Sequence, residues 1–327
     1  MSDVFILGAG FSKAVSRFMP VLTELSHDVS EGLVEKSPTK TLGKSLFAQF
    51  PKNIELWMTY LAQSHPWLSE AENLRNRAAF SDMAQEVNEC LSSRTKQTVA
   101  ENCPDWLTRL VTKWHDTQTP VLSLNYDTLV ERCAVQQKLR CLNIYPIPLV
   151  HILGRQGVIL SGGRRSLSLY KLHGSINWRY SGATEPIGET IYYIDVAGWK
   201  MESPDNQQEQ AASDKVPFIV PPLTEKGPFF HHETVRSMWR QGGDALESAD
   251  RIFILGYSLP QADLTMRYFL MDKARAGEQT FFLVNTDTNV QKHFQTLLEN
   301  HFDINGDFIC EKDPIPKFVE RYVSGAL

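Results

Sequence analysis

Val4-Phe5-Ile6-Leu7-Gly8-Ala9-Gly10-Phe11-Ser12-Lys13 decides the fold class. Four apolar residues of strand character run straight into Gly-x-Gly, and a helical pattern follows. A buried parallel strand that breaks into glycines and then into a helix is the arrangement that cradles phosphate. Gly8 permits the tight turn, and Gly10 lets backbone N–H groups approach a pyrophosphate. The usual dinucleotide fingerprint has a third Gly three residues later, where this chain has Lys13, and an acidic residue about twenty residues on, which is missing. The stretch therefore predicts an α/β fold but not an ordinary dehydrogenase. Ser12 is placed to cap the following helix or to contact a phosphate.

The same signature recurs downstream. Pro120-Val121-Leu122-Ser123-Leu124 ends in Asn125-Tyr126-Asp127. The alternating run Leu167, Leu169, Tyr170 and Leu172 leads into His173-Gly174-Ser175. Arg251-Ile252-Phe253-Ile254-Leu255 ends in Gly256-Tyr257-Ser258, and Thr280 to Val284 ends in Asn285-Thr286-Asp287. Open α/β sheets place ligands beyond the carboxyl ends of their strands. A histidine there brings the one side chain whose ordinary pKa lies near neutrality. A buried Asn needs partners for its amide. One such strand end is compatible with a plain turn or cap, but five in one chain point to a common ligand edge.

Apolar residues at spacings of three and four between about 20 and 115 predict a large helical insertion after the first strand, with its Trp and Tyr residues in the core. A smaller insertion or loop is expected over about 179–216, a hairpin or loop over 154–165, and a strand stopped by Pro221-Pro222. Helices are expected over 235–249, 263–276 and 290–300, and a short closing element from Asp303. The whole chain, 1–327, reads as one domain.

With 327 residues, 42% hydrophobic and 22% charged, the composition is that of an ordinary soluble protein. A net charge of −5 without long basic runs argues against a general nucleic-acid surface. No stretch has the length of a membrane span, and the first residues do not look like a secretory signal. The five scattered cysteines form no C-x-x-C pair, which favours a reducing, cytoplasmic setting and excludes a zinc knuckle.

Taken in order, Gly8-Ala9-Gly10-Phe11-Ser12, Asn125-Tyr126-Asp127, His173-Gly174, Gly256-Tyr257-Ser258-Leu259 and Asn285 resemble the sirtuin-like (SIR2-like) family. More closely, they are similar to its bacterial branch of NAD-hydrolysing enzymes in anti-phage defence. The resemblance covers nearly the whole chain. It implies a Rossmann-like parallel sheet flanked by helices, with NAD+ as substrate and no metal. Asn125 and His173 would lie beside the nicotinamide ribose as the catalytic pair, with Asp127 near the nicotinamide amide. Gly8, Ala9, Gly10, Phe11, Ser12, Gly174, Gly256, Tyr257 and Ser258 would line the phosphates and nearby ribose, and Asn285 the adenosine side. Protein-deacylating sirtuins carry a four-cysteine zinc module between the His-Gly and Gly-x-Ser motifs. No cysteine lies between His173 and Gly256. Their Gly-Ile-Pro-Asp-Phe-Arg run is also absent, since Ser16 to Val21 shares only Pro20.

The implied activity is NAD+ nucleosidase, giving nicotinamide and ADP-ribose and depleting NAD during infection. The resemblance also implies control by a separate infection-sensing partner or by homo-oligomerisation, with no membrane and no direct nucleic-acid contact. A non-catalytic NAD- or ADP-ribose-binding sensor is a second expectation, and an NAD-dependent deacylase a third. A nicotinamide oxidoreductase fits poorly with the broken fingerprint.

Overall fold

The computed structural model of the chain describes residues 1–35, 53–139, 144–147, 149–153, 156–159, 166–181, 190–201, 208, 212–220, 232–261 and 263–327. The Pro221-Pro222 stop, residues 160–165 and most of 202–214 lie outside these. Strand β1 (Asp3–Leu7) passes directly into helix α1 (Ala9–Val15). Helices α2 (Leu22–Glu35), α3 (Ile54–Ala62), α4 (Glu70–Ala100) and α5 (Asp105–Thr117) come before β2 (Pro120–Ser123). Then follow α6 (Leu129–Gln136), β3 (Val150–Leu153), β4 (Gln156–Ile159), β5 (Ser168–Lys171), β6 (Gly174–Tyr180), β7 (Tyr192–Tyr193) and β8 (Val216–Ile219). The chain closes with α7 (Glu233–Glu247), β9 (Arg251–Leu255), α8 (Leu264–Lys273), β10 (Thr280–Asn285), α9 (Val290–Leu298), β11 (Asp303–Ile309) and α10 (Pro314–Val323).

Six strands form one sheet in the order β11-β10-β9-β1-β2-β5, and every pairing in it is parallel. Numbered by position in the chain, that order is 6-5-4-1-2-3, the doubly wound arrangement. The fold is therefore α/β and Rossmann-like, and its switch point lies between β1 and β9. Val4, Phe5, Ile6, Ile252, Phe253 and Ile254 are buried because helices cover both faces of the sheet. Phe5 stacks on Phe253 at 4.7 Å and meets Trp114 edge-on at 5.0 Å.

Two features differ from the sequence expectation. The closing element is a sixth strand plus a helix, β11 and α10. Asn305, Gly306 and Asp307 carry little strand character, and β11 is a half-exposed edge, so it lacks the apolar run that marks its neighbours. The chain between α6 and α7 also builds a second sheet, in the order β4-β3-β7-β6-β8. Within it β3 and β4 form a hairpin, with Leu153 opposite Gln156.

Helices α2, α3 and α4 make their own core from Leu25, Val29, Trp57, Met58, Phe80, Met83, Val87 and Leu91. Ile176 and Ile219, from the second sheet, belong to that cluster. Asn53 caps α3 by accepting from Glu55 and Leu56 N–H, and Ser69 with Glu72 forms a capping box on α4. Trp57 and Trp114 are core, as expected, but Trp67 is 71% exposed. It sits in the turn before α4, off any helical stripe, and stacks on His65 at 4.7 Å.

Cys103 and Cys133, far apart in sequence, come together with sulfurs 3.9 Å apart. The hydrogen bond shared with Cys133 holds the Cys103 thiol down to about 7, against the opposing effect of burial. At neutral pH Cys103 should therefore be alkylated by iodoacetamide well ahead of Cys90, which burial pushes up to about 11. Peptide mapping after a short pulse checks this, and equal labelling of the two would count against it.

Candidate active site

Two glycine turns meet at the switch point. Gly8 N–H donates to Leu255 O at 3.0 Å, and Gly10 N–H donates to Gly256 O at 2.9 Å. A Cβ on Gly8 would lie 2.6 Å from Tyr257 Cα, and one on Gly10 2.8 Å from Gly256 O. These glycines are required by the close approach of the two turns. With the Gly10 N–H committed to Gly256 and the Phe11 N–H to Gly8 O, the Ala9 N–H at the start of α1 has no backbone partner among the described residues.

Gly256 has φ of +64°, and a Cβ there would lie 2.3 Å from Phe11 N. Gly256→Ala should therefore cost about 3 kcal/mol or more, from backbone strain plus overpacking. Gly277→Ala, at φ of +74° with nothing within 4 Å, should cost about 1 kcal/mol, from strain alone. Thermal or urea unfolding measures both, and equal losses would contradict the interlocked turns.

Beyond β2 the chain turns at Asn125. Its Nδ2 donates to Gly8 O at 2.9 Å and to Ser12 Oγ at 2.9 Å. Ser12 Oγ in turn donates to Asp127 Oδ2 at 2.6 Å. Gly8 O can only accept, and the Ser12 proton is spent on Asp127. Both neighbours of the amide therefore demand donors, which fixes its orientation. Asn125 Oδ1 is left without a partner among the described residues. Asp127 Oδ1 accepts from Leu129 N at 3.1 Å, so both carboxylate oxygens are engaged at the head of α6. Ser12 lies inside α1 and serves as the bridge between Asn125 and Asp127, not as the helix cap.

His173 occupies the matching position on the neighbouring strand. Ser123 pairs with Lys171 at the end of the β2–β5 ladder, so Asn125 and His173 each lie two residues beyond the last pair. The chain passes at His173 from the main sheet into β6 of the second sheet. His173 is 6% exposed, and its ring lies 6.3 Å from that of Tyr126 and 6.1 Å from that of Trp239. Gly174 has φ of +78°, and a Cβ there would lie 2.4 Å from Phe218 O, so the backing strand β8 demands this glycine.

The other expected site residues divide. Ser258 and Asn285 stand at the carboxyl ends of β9 and β10, on the same edge as Gly8 and Asn125. Asn285 Oδ1 accepts from Asp287 N at 3.1 Å, and its Nδ2 has no partner among the described residues. The Phe11 side chain points into the core against Trp106, at 5.7 Å, so only its backbone borders the turn. Tyr257 is buried and donates its hydroxyl to Asp263 Oδ2 at 2.8 Å, which fastens the second glycine turn to the start of α8.

Sequence reasoning missed a buried ion pair beneath this edge. Lys171 is 1% exposed and lies 3.6 Å from the Glu131 carboxylate. Its Nζ also donates to Asp127 O, so β5 is tied to the Asn125–Asp127 turn. Tyr145 donates to Glu131 at 2.9 Å. Burial pushes the Glu131 carboxyl above its ordinary range, with Lys171 pulling the other way. The signal was legible: a lysine inside an alternating apolar strand needs a buried partner.

Among the described residues no group of three His, Cys, Asp or Glu side chains is placed to hold a metal ion. No helix among them is long and apolar enough to cross a membrane. No protein-family model and no curated protein matches the chain. Several solved structures do. A structure described as Sir2 with p53 peptide and NAD+ is 13% identical, spans 100% of this chain and 93% of its own, and has a TM-score of 0.44. Sir2Tm bound to a propionylated peptide is 14% identical, spans 99% and 93%, and scores 0.42. A structure addressing sirtuin substrate affinity is 13% identical, spans 100% and 94%, and scores 0.43. The Rossmann-like assignment rests on the strand order and not on these likenesses.

Proposed function

We propose that the chain is a NAD+ glycohydrolase that cleaves NAD+ to nicotinamide and ADP-ribose. What supports this most is one juxtaposition: Asn125 and His173 leave the ends of adjacent strands, beside the switch point where the two glycine turns meet. A dinucleotide lying along the carboxyl edge would run from the His173 side, past Ala9 and Ser258, to Asn285. Ala9 N–H, Asn125 Oδ1 and Asn285 Nδ2 are groups on that edge with capacity left for a ligand.

In the proposed reaction the bond between ribose C1′ and the nicotinamide nitrogen breaks. Its electron pair stays on nitrogen, so nicotinamide leaves neutral and needs no proton. Water oxygen bonds to C1′, and the proton it sheds passes to His173 and then to solvent. Asn125 Oδ1 orients the water or a ribose hydroxyl, and its fixed amide avoids reorganisation as charge develops at C1′. Asp127 acts through Ser12 to hold Asn125. In this reading the activity depletes NAD+ in anti-phage defence, under control of a partner or of self-association; that role rests on the motif resemblance. The chain is read as one catalytic domain with a helical insertion over about 20–115.

The test is incubation of purified protein with NAD+ at several protein concentrations, with and without proteins encoded beside it. Free nicotinamide and ADP-ribose are followed by chromatography. Equimolar release of both is the expected result. Binding of NAD+ without release under every condition would replace the enzyme by a sensor. Release that depends wholly on an acyl-lysine peptide would replace hydrolysis by deacylation.

A further inference from the structure

We propose that Trp239, on α7 and outside the strand-end motifs, is a positioning residue for His173. The proposal deepens the hydrolase reading and rests on His173 as its base. β5 is the edge strand of the main sheet, so one side of its backbone has no strand to pair with. At the end of β5, Leu172 N–H still donates to Ser123 O at 3.0 Å. The Leu172 carbonyl belongs to a fully buried residue and would be an orphan acceptor at that edge. Trp239 Nε1–H supplies its donor at 3.0 Å. On the far side, His173 O accepts from Val220 N at 2.7 Å. The peptide groups flanking the imidazole are thus held at three points, two by main chain and one by the indole.

The same indole limits the ring itself. Its centroid lies 6.1 Å from that of His173, with the planes at 42°. The indole also meets Phe269 of α8 edge-on at 5.0 Å, which restrains it. The Tyr126 ring lies 6.3 Å from the imidazole, and its hydroxyl is anchored to Val220 O at 2.6 Å. Two aromatic rings thus border His173, and one of them also carries the hydrogen bond that sets its backbone. A base held in this way is restricted to one side-chain rotamer.

Trp239→Phe removes the donor and shrinks the bordering side chain while keeping an aromatic ring. Trp67→Phe makes the same chemical change at an exposed position on the helical insertion and serves as the control. Two readouts are taken on the full chain, after unfolding curves show both variants folded. The first is kcat and KM for nicotinamide release. The second is the imidazole Cε1–Hε1 resonance of His173 in the free protein, assigned by its loss in His173→Gln. The expected result for Trp239→Phe is kcat lower by roughly ten- to a hundredfold at unchanged KM. Its His173 resonance should broaden or double as a second rotamer is populated. Trp67→Phe should match the wild type in both. A single sharp His173 resonance in Trp239→Phe overturns the proposal, whatever the turnover. If the wild-type chain releases no nicotinamide but Trp239→Phe doubles the resonance, the positioning role stands and the hydrolase reading falls.

Discussion

Asn125→Ala and His173→Ala proteins are expected to fold and yet to release nicotinamide about 100-fold or more slowly than the unaltered chain. The two losses have different physical origins. Removing Asn125 takes away the Oδ1 acceptor at the ligand edge. It also strips one donor each from Gly8 O and Ser12 Oγ. Gly8 O keeps the Phe11 N–H as donor and Ser12 Oγ keeps its bond to Asp127, so the added loss of stability should be only about 1 kcal/mol. Removing His173 takes away the proton acceptor, while the backbone clamp at Leu172 and His173 stays intact. Ser12→Ala separates the two effects. It frees one Asn125 proton and one Asp127 oxygen without touching the ligand edge, so a smaller loss of about tenfold is expected. Initial rates at saturating NAD+, with circular dichroism as a check on folding, measure all three. Full activity in both Asn125→Ala and His173→Ala would remove the assignment.

Lys171→Met should destabilise the protein by about 3–5 kcal/mol, because it leaves the Glu131 charge buried without its cation. The sign of its pH dependence follows from linkage. The Glu131 carboxyl is already raised by burial, and losing Lys171 raises it further. A carboxyl with a folded pKa above its unfolded value binds protons more readily when folded. Its destabilising contribution is therefore absent below the ordinary carboxylate range and grows as pH rises toward the folded pKa. Lys171→Met should accordingly be closest to the unaltered protein near pH 5 and furthest from it near pH 8. Adding Glu131→Gln keeps an acceptor for the Tyr145 hydroxyl and removes the charge. The double variant should recover most of the lost stability, and its deficit should no longer depend on pH in this way. Urea unfolding at the two pH values decides the matter. A pH-independent loss in Lys171→Met would show that the packing of the lysine stem matters more than the ion pair.

The strands of the main sheet were legible where they are buried on both faces. Val4 to Leu7, Arg251 to Leu255 and Thr280 to Val284 read as apolar runs because helices cover them above and below. β11 was not legible, since an edge strand with Asn305, Gly306 and Asp307 at its centre has no such run. The second sheet was seen only in fragments, because pairing between distant short strands leaves no local pattern. At the site, residue types were legible but their partners were not. Asn125 announced that it needed hydrogen bonds, yet only coordinates reveal that Gly8 and Ser12 provide them. Ser12 read as a phosphate or cap residue, and its sequence context gave no sign that it also links an amide to a carboxylate. Trp239 carried no signal, because a Trp on an amphipathic helix looks like any core residue until its N–H is seen to reach a strand end.

The interlocked glycine turns also restrict how a ligand could enter. A hinge along the seam between β1 and β9 would break the bonds from Gly8 to Leu255 and from Gly10 to Gly256 together, so the two turns behave as one plate. The helices of the insertion are fastened elsewhere, to the second sheet, through a core that includes Ile176 and Ile219. Those two residues stand on β6 and β8, which pair at Gly174 directly after His173, so a push on the helical core would reach the base within one residue.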